Sequence, residues 1–428
     1  MLRSLPSSSG AGARPQGFVM AGKTLYRAAF VLPVTSPPIR DGFVLVEDGI
    51  VVSVGPMTER PDGAGTVEVD LGSSILCPGF VNAHTHLELS HLKGAVPGVR
   101  GFVPWIEDQL RVRAEHQDDD AGPSIQAAIR SMESAGTVAV ADVSNSLVTL
   151  GPLAESGLSA LVLHEILGFD PGKAEVIFAQ ARSQRETAFA SLPPAGPGAA
   201  SGGGRIRLDV AAHAPHSVSR RLLELLNNDG GVRSIHVAES RSEDDFLKDG
   251  RGEWREFLDR RVGAVPFDPP GRSPVRYLDD LGVLKLGLLA VHCVRVDADD
   301  AKLLAERKAV AVLCPRSNEF LGNGVPPLAL LLGSGVRVAF GTDSLASCPS
   351  LDVIDDARML ARKFPRVPKA ALLHALTRAG AFSLGFADLG EIQAGAQARF
   401  AAVSFEGAPP VDPLAFLFNE GAPARGVA

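Results

Sequence analysis

Histidine and carboxylate residues recur in this sequence at spacings that suit a metal-dependent catalyst. His84 and His86 are two residues apart, and on an extended segment such a pair points to one side and can chelate a single ion. His236 and Asp343 would complete a set of three nitrogen ligands and one oxygen ligand, which leaves a position for water. The pattern predicts one divalent ion, Zn²⁺ in the first place, with Fe²⁺ or Mn²⁺ as alternatives for the same ligands.

Each of these residues also has an ordinary structural interpretation. A lone histidine at a strand end is usually a hydrogen-bonded loop residue, and Glu239 opens a charged run up to Asp245 that would normally lie on the surface. The joint pattern favours function, because the polar residues all lie at or just after the ends of predicted strands: His84, His86, His213, His236, Glu239, His292 and Asp343. The C-terminal strand ends of a (β/α)₈ barrel form the active-site rim, so these residues predict an active site there.

Eight predicted strands would position these side chains. Apolar, β-rich runs alternate with amphipathic helical stretches such as 219–228 and 298–306, which is typical of βα units. The strands are predicted at 79–83, 138–142, 160–164, 206–213, 233–236, 288–292, 309–314 and 336–343. The sequence therefore predicts an α/β fold, a TIM-type (β/α)₈ barrel spanning 73–390.

The two ends of the chain predict a second, smaller unit. Short strands with turn punctuation occupy 26–69, and strand character returns at 398–403 after a helical stretch at 369–384. We therefore expect a small β-sandwich domain built from 20–72 and 391–428. Residues 1–19 are rich in Ser, Gly, Pro and Arg and are predicted to be disordered or an over-long start. The Pro- and Gly-rich run at 192–204 is predicted to be a flexible surface insertion.

The composition of the chain indicates which kinds of partner it is expected to bind. The 428 residues are 45% hydrophobic and 21% charged, with a net charge of -7, so nothing marks a nucleic-acid or anionic-membrane surface. No run reaches the ~18 apolar residues of a membrane-spanning helix. Four dispersed cysteines without a C-x-x-C pair fit a reducing cytoplasm. We expect a cytoplasmic protein with a small-molecule substrate, and a homodimer is compatible with the sequence.

Four segments resemble the signature segments of the amidohydrolase superfamily: Pro-Gly-Phe-Val-Asn-Ala-His-Thr-His at 78–86, His-Val-Ala-Glu at 236–239, His-Cys-Val at 292–294 and Gly-Thr-Asp at 341–343. The resemblance runs from about 26 to 403. His-x-x-Glu after the fifth strand, with no candidate for a carbamylated lysine, is similar to the mononuclear branch of cytosine, guanine and adenosylhomocysteine deaminases and their chlorohydrolase relatives. The resemblance implies that His84, His86, His236 and Asp343 hold one metal ion, Glu239 transfers protons and His292 orients the attacking water.

The implied chemistry is hydrolytic deamination of an adenine-type nucleoside. A bound Zn²⁺ lowers the pKa of water from 15.7 toward ~7, Asp343 would take the water's proton, and Glu239 would protonate the ring nitrogen beside the carbon under attack. Three segments, at 87–90, 102–105 and 314–318, are similar to the aminodeoxyfutalosine deaminase group, which acts in a menaquinone pathway. The best-fitting substrate is then 6-amino-6-deoxyfutalosine.

Five residues are candidates for substrate contacts. Glu88 could accept a hydrogen bond from a ribose hydroxyl or cap a loop. His213 matches a base-contacting histidine of adenosylhomocysteine-type deaminases, while His216 stands where that motif usually has Tyr. Arg316 could hold a carboxylate or phosphate, or form a structural salt bridge. Trp105 could stack on a base or pack in the core.

The same residues are also compatible with several other functions. Relatives of this kind could deaminate adenosylhomocysteine, methylthioadenosine, guanine or cytosine, or could hydrolyse a triazine or cyclic amide with the same activated water. An inactive metal-binding relative is the remaining alternative. It is disfavoured because all six ligand and acid–base residues are in place, whereas a decayed site should have lost at least one of them.

Overall fold

A computed structural model of the chain describes residues 22–62, 65–98, 101–116, 121–191, 205–419 and 422–427. The predicted disordered start at 1–19 and the predicted insertion at 192–204 lie outside these residues. The strands of the described residues are β1 (Lys23–Val31), β2 (Ile39–Glu47), β3 (Ile50–Pro56), β4 (Thr66–Asp70), β5 (Ser74–Pro78), β6 (Phe80–Thr85), β7 (Thr137–Ser144), β8 (Ser159–Ile166), β9 (Ile206–Ala212), β10 (Ser234–Val237), β11 (Leu289–His292), β12 (Val310–Leu313), β13 (Arg337–Phe340), β14 (Phe400–Ser404) and β15 (Ala424–Val427).

Helices separate most of the later strands. They are α1 (Phe102–Glu115), α2 (Gly122–Ser134), α3 (Leu150–Ala154), α4 (Ala174–Ala190), α5 (Arg220–Asn228), α6 (Arg241–Asp249), α7 (Glu253–Val262), α8 (Pro274–Asp280), α9 (Ala298–Glu306), α10 (Pro315–Phe320), α11 (Leu328–Gly333), α12 (Ile354–Lys363), α13 (Lys369–His374), α14 (Gly380–Ser383) and α15 (Pro413–Asn419). Short 3₁₀ helices occupy Met57–Glu59, Leu87–Leu92 and Pro171–Lys173, and one π-helical turn occupies Ala375–Ala379. No helix of the described residues has the length and apolar character needed to cross a lipid bilayer.

The eight strands β6 to β13 form a parallel, nearly closed barrel in sequence order. The barrel closes near the C-terminal ends of its strands, where a parallel bridge joins Thr85 to Asp343. Side chains of alternate residues, such as Val81 with Ala83 and Ala139 with Ala141, share one buried cluster, as the two-residue period of a strand requires. The predicted eight-stranded α/β barrel is confirmed.

Local sequence signals explain where two of the outer helices begin. The Ser219 hydroxyl accepts a hydrogen bond from the Leu222 amide at 3.3 Å and caps α5. Asp297 and Asp300 form a reciprocal capping box at the start of α9. Side-chain acceptors of this kind satisfy amides that have no partner within the helix, and this is why the helices start at the predicted positions.

The two chain ends meet in a separate sheet. Seven strands are hydrogen-bonded in the order β15-β14-β5-β1-β2-β3, with β4 paired to β1, so the predicted sandwich is one continuous sheet. The strand β5, just after the predicted boundary at residue 72, belongs to it and pairs antiparallel with β14. Because β5 leads directly into β6, this sheet fixes the start of the first barrel strand.

Candidate active site

Five of the predicted site residues converge at the C-terminal ends of the barrel strands. The members of this ligand cluster are His84, His86, His236, His292 and Asp343, and each is at most 9% exposed. The Nε2 atoms of His84 and His236 lie 3.3 Å apart. Asp343 Oδ1 lies 3.8 Å from His84 Nε2 and 3.6 Å from His86 Nε2. Such a buried set of convergent nitrogen and oxygen atoms is suited to a divalent cation.

The protonation of the cluster also fits a cation. Burial lowers the pKa of His84, and it lowers the pKa of His236 well below its ordinary value, so both rings are neutral and offer lone pairs. Burial alone would raise the pKa of Asp343, but its hydrogen bond to His84 and the nearby His86 and His292 hold it below the usual range. Two neutral imidazoles beside a carboxylate provide ligands without a competing proton.

Neighbouring groups fix the orientation of the ligand atoms. His236 Nδ1 donates to the backbone carbonyl of His213 at 2.7 Å, which leaves the Nε2 lone pair directed into the cluster. The hydroxyls of Ser317 and Ser347 donate to Asp343 Oδ2 at 2.6 and 3.1 Å. Asp343 Oδ1 therefore remains available to the cluster.

Close backbone packing holds the two ends of the barrel sheet together at the cluster. The amides of Thr342 and Asp343 donate to the His84 carbonyl at 3.0 and 3.1 Å. A Cβ at Gly341 would lie 2.8 Å from His84 Cβ and 2.9 Å from Cys314 Sγ, which explains the glycine of the Gly-Thr-Asp segment. The backbone takes a left-handed conformation at Ala238, His292, Cys293 and Asp343, with φ of 51°, 75°, 48° and 62°.

His84→Ala and His86→Ala are each expected to lower the amount of divalent metal that copurifies with the protein. Each substitution removes one of about four bonds to the ion. Elemental analysis per polypeptide measures the effect, with circular dichroism to verify folding. His374→Ala, which removes an exposed histidine of α13, is the matched control and should leave the metal content unchanged. Full occupancy in both site variants would exclude these two histidines as ligands.

Glu239 is a buried carboxylic acid beside the cluster. Burial, followed by the charges of Asp343 and Glu243, raises the pKa of Glu239 well above its ordinary value, which favours the protonated form. Its Oε1 accepts a hydrogen bond from Asn323 Nδ2 at 3.1 Å. A neutral acid next to an ionised Asp343 gives the site one proton donor and one proton acceptor.

His292 faces Glu239 and presents an N–H to the site. Asn318 Nδ2 lies 3.0 Å from His292 Nδ1, and an amide nitrogen can only donate, so Nδ1 accepts and the proton resides on Nε2. That Nε2 lies 3.7 Å from Glu239 Oε2. Burial lowers the pKa of His292 to about 3, so the ring is neutral. A neutral Nε2–H can donate to an oxygen held at the cluster, which fits the predicted orienting role.

A cavity of about 390 Å³ opens beside the cluster. Its walls are largely apolar and aromatic, and they include Phe102, Trp105, Phe169, Trp254 and Phe257. Of the predicted substrate residues, Trp105 and His213 line the cavity, whereas Glu88, His216 and Arg316 do not. The shape suits a ligand with a flat, largely apolar body and a polar end at the cluster.

The carboxylate of Glu88 is held by the loop that follows β7. Its Oε2 accepts hydrogen bonds from the hydroxyls of Ser144 and Ser146, both at 2.8 Å, and from the amides of Asn145 and Ser146 at 3.1 and 3.2 Å. Glu88 Oε1 receives Arg113 at 3.4 Å. The carboxylate anchors the loop after β7, as its capping interpretation expects, and the ribose contact stays a prediction.

Arg316 and His216 also make contacts within the protein. Arg316 pairs with Asp356 at 2.8 Å and donates to the carbonyls of Ser350 and Asp352 at 3.0 and 2.9 Å, so its guanidinium is occupied within the protein. The His216 ring packs edge-on against Trp254, with centroids 4.5 Å apart. It packs behind Trp254, which lines the cavity.

Most cavity residues were not predicted from the sequence as site residues, among them Asn145, Glu165, Arg113 and Arg261. Glu165 follows the predicted strand at 160–164 directly, so the strand-end argument that found the histidines would have included it. The two arginines come from α1 and α7, which lie far apart in sequence and meet only in the folded protein.

A parallel eight-stranded barrel with a histidine and aspartate cluster at its C-terminal rim defines a class of hydrolytic barrel enzymes. The model of the amidohydrolase family matches residues 75–428. The chain therefore belongs to the amidohydrolase family and is a hydrolytic enzyme.

Similar proteins carry more specific names. A 5-methylthioadenosine/S-adenosylhomocysteine deaminase of Moorella thermoacetica is 31% identical over 88% of this chain and 84% of its own length. An aminodeoxyfutalosine deaminase of Deinococcus radiodurans is 30% identical over 79% and 80% of the two chains. A solved adenosine deaminase of Xanthomonas campestris with bound zinc covers 94% of this chain and 89% of its own, with a TM-score of 0.73 and 27% identity. A solved Helicobacter pylori aminofutalosine deaminase shares the fold over 95% and 100% of the chains, with a TM-score of 0.79 and 22% identity.

Proposed function

We propose that this enzyme hydrolytically deaminates an adenine-type nucleoside that carries a carboxylate, with 6-amino-6-deoxyfutalosine of menaquinone biosynthesis as the best-fitting substrate. The observation that carries the proposal is the pair Glu239 and Asp343, whose pKa values are shifted in opposite directions within one buried site. Deamination needs such a pair, since one group must take a proton from water and another must give one to the heterocycle. The names of the relatives support the same reaction class.

The side chains can be assigned to the steps. A divalent ion held by His84, His86, His236 and Asp343 would supply Lewis-acid activation of the water. Asp343 accepts the proton that the water loses as its oxygen bonds to the carbon bearing the amine. Glu239 donates its proton to the adjacent ring nitrogen, and the His292 Nε2–H orients the attacking oxygen. Glu239, ionised by this first transfer, then takes the proton of the hydroxyl formed at that carbon, while Asp343 passes its proton to the amine. The C–N bond breaks as the C=O bond forms, ammonia leaves, and both carboxyl groups return to their starting states.

One arginine favours a carboxylated substrate. Arg113 and Arg261 both line the cavity, but Arg113 already pairs with Glu88 at 3.4 Å. Arg261 is exposed, as expected of a residue at the cavity mouth. Among the described residues, Arg261 has no ion pair, so its guanidinium is free to bind an anion. Both aminodeoxyfutalosine and adenosylhomocysteine carry a carboxylate on the side of the sugar away from the base, whereas methylthioadenosine does not.

Arg261→Ala is therefore expected to lower kcat/KM for a carboxylated adenine nucleoside about tenfold, the loss of one hydrogen-bonded charge contact. Activity on methylthioadenosine should hardly change, so the ratio of the two kcat/KM values is the measurement. Arg260→Ala is the matched control, because Arg260 is the preceding residue of α7 but pairs with Glu107 at 2.6 Å outside this cavity. An equal effect of Arg261→Ala on both substrates would contradict carboxylate recognition.

The proposed reaction is tested by measuring ammonia release. The panel contains adenosine, adenosylhomocysteine, methylthioadenosine, aminodeoxyfutalosine, guanine, cytosine and a halotriazine. Highest kcat/KM on aminodeoxyfutalosine is the expected result. Preference for adenosylhomocysteine would keep the reaction class and replace the substrate. Activity on the triazine or on a free base, with none on nucleosides, would refute the proposal.

A further inference from the structure

Glu165 has an acceptor atom in the cavity wall that no described residue uses. The residue lies near the C-terminal end of β8, is 6% exposed and lines the cavity. Its Oε2 accepts a hydrogen bond from Asn145 Nδ2 at 2.8 Å. Its Oε1 is buried and has no hydrogen-bond donor among the described residues. A buried carboxylate oxygen without a donor is costly, so a donor is expected from a bound ligand.

The neighbouring groups do not explain this carboxylate. His86 and His236 of the cluster each have a ring nitrogen within 4.8 Å of a Glu165 oxygen, and His236 Nδ1 lies 3.7 Å from Glu165 Oε1. That Nδ1 already donates to the His213 carbonyl at 2.7 Å, so Glu165 is not needed to orient the imidazole. No Lys or Arg of the described residues forms an ion pair with Glu165. An acceptor held in place by Asn145, and left without a donor, has the properties of a ligand contact.

We propose that Glu165 binds a sugar hydroxyl of the substrate, and that this contact selects nucleosides over free bases and triazines. The inference rests on the proposed deamination of an adenine-type nucleoside. Glu165 adjoins His236 of the cluster, where the base must lie to react, and the sugar is the hydroxyl-bearing part next to the base. An ionised carboxylate accepts hydrogen bonds and donates none, which matches a hydroxyl. A free base has no group at this position.

Glu88 shows why the two carboxylates differ. The donors of Ser144, Asn145 and Ser146 occupy the Oε2 of Glu88. Among the described residues, the Glu165 carboxylate receives only the Asn145 side chain, through one of its two oxygens. Both carboxylates are buried, so burial does not distinguish them. What distinguishes them is the Oε1 atom of Glu165, which has no donor among the described residues. This unused acceptor assigns the sugar contact to Glu165.

The test combines Glu165→Gln with substrates that lack single hydroxyls. The nucleoside with the highest kcat/KM in the ammonia-release panel is compared with its 2′-deoxy and 3′-deoxy analogues. The wild-type enzyme should lose about 10- to 100-fold in kcat/KM when the contacted hydroxyl is missing, as for a hydrogen bond to a charged group. Glu165→Gln should lower kcat/KM on the parent nucleoside by a similar factor. In this variant the kcat/KM values for the parent and for the deoxy analogue should differ by less than about threefold.

Control measurements separate this contact from other roles. Glu306→Gln, an exposed carboxylate of α9, should behave as the wild type. Metal content and melting temperature should be unchanged in Glu165→Gln. Loss of metal would overturn the proposal in favour of a metal ligand, and an equal loss on the parent and both analogues would overturn it in favour of a structural role.

The wild-type measurements need no variant and are decisive by themselves. If the enzyme deaminates nucleosides but treats both deoxy analogues like the parent, the sugar contact is wrong and the proposed function stands. If only free bases or the triazine react, the sugar contact and the proposed function are both refuted.

Discussion

Asp343→Asn is expected to reduce kcat by roughly 10³-fold or more while the protein remains folded. The amide cannot accept a proton from water and offers the ion a weaker, uncharged oxygen. Folding should survive because the Asn oxygen can still accept from Ser317 and Ser347. Asn also tolerates the left-handed backbone that this position has, with φ of 62°.

Steady-state kinetics of ammonia release, together with circular dichroism and elemental analysis, measure this effect. Asp299→Asn is the matched control, because the Asp299 side chain is 85% exposed on α9. That control should retain wild-type kcat. More than a tenth of the wild-type activity in Asp343→Asn would contradict its role as the acceptor of the water's proton.

Glu239→Gln is expected to lower kcat by roughly 10² to 10⁴ with little change in KM, because the amide keeps the shape of the side chain but cannot deliver the proton. The Gln carbonyl can still accept the hydrogen bond from Asn323, so the side chain should keep its position. Glu239 is not one of the four expected ligands, and the metal content should therefore be unchanged.

Two controls separate proton transfer from general damage to the site. Glu253→Gln, on the exposed surface of α7, should show wild-type kinetics. A large rise of KM at constant kcat in Glu239→Gln would indicate substrate binding and would argue against proton transfer. Loss of metal from this variant would place Glu239 among the ligands.

The convergence of the ligand cluster could be predicted from the sequence because it follows from topology. His84, His236 and Asp343 each come just after an apolar run, and in a parallel barrel all such positions lie at one rim. The segments that resemble the amidohydrolase signature contain the same three residues. Eight strands and one rim are enough to bring side chains together from positions more than 250 residues apart in the chain.

The use of individual polar side chains could not be predicted in this way. Arg316 is able to bind a carboxylate, but Asp356, Ser350 and Asp352, which lie 34 to 40 residues away, occupy its donors. Glu88 is likewise satisfied by the loop after β7. A residue type defines how many hydrogen bonds a side chain can make, while the packing of distant segments decides which remain open to a ligand.

The left-handed backbone at Ala238, His292, Cys293 and Asp343 limits how this enzyme can be made more heat-resistant. Each residue in this conformation lowers the free energy of unfolding by about 1 kcal/mol or more relative to an ordinary backbone conformation. The whole free energy of unfolding of a folded domain is only about 5–15 kcal/mol. Glycine at Cys293 would relieve the local cost, but it would also increase the entropy of the unfolded chain by a comparable amount. Improved thermal tolerance is therefore to be sought in the outer helices, where substitutions leave the geometry of the rim intact.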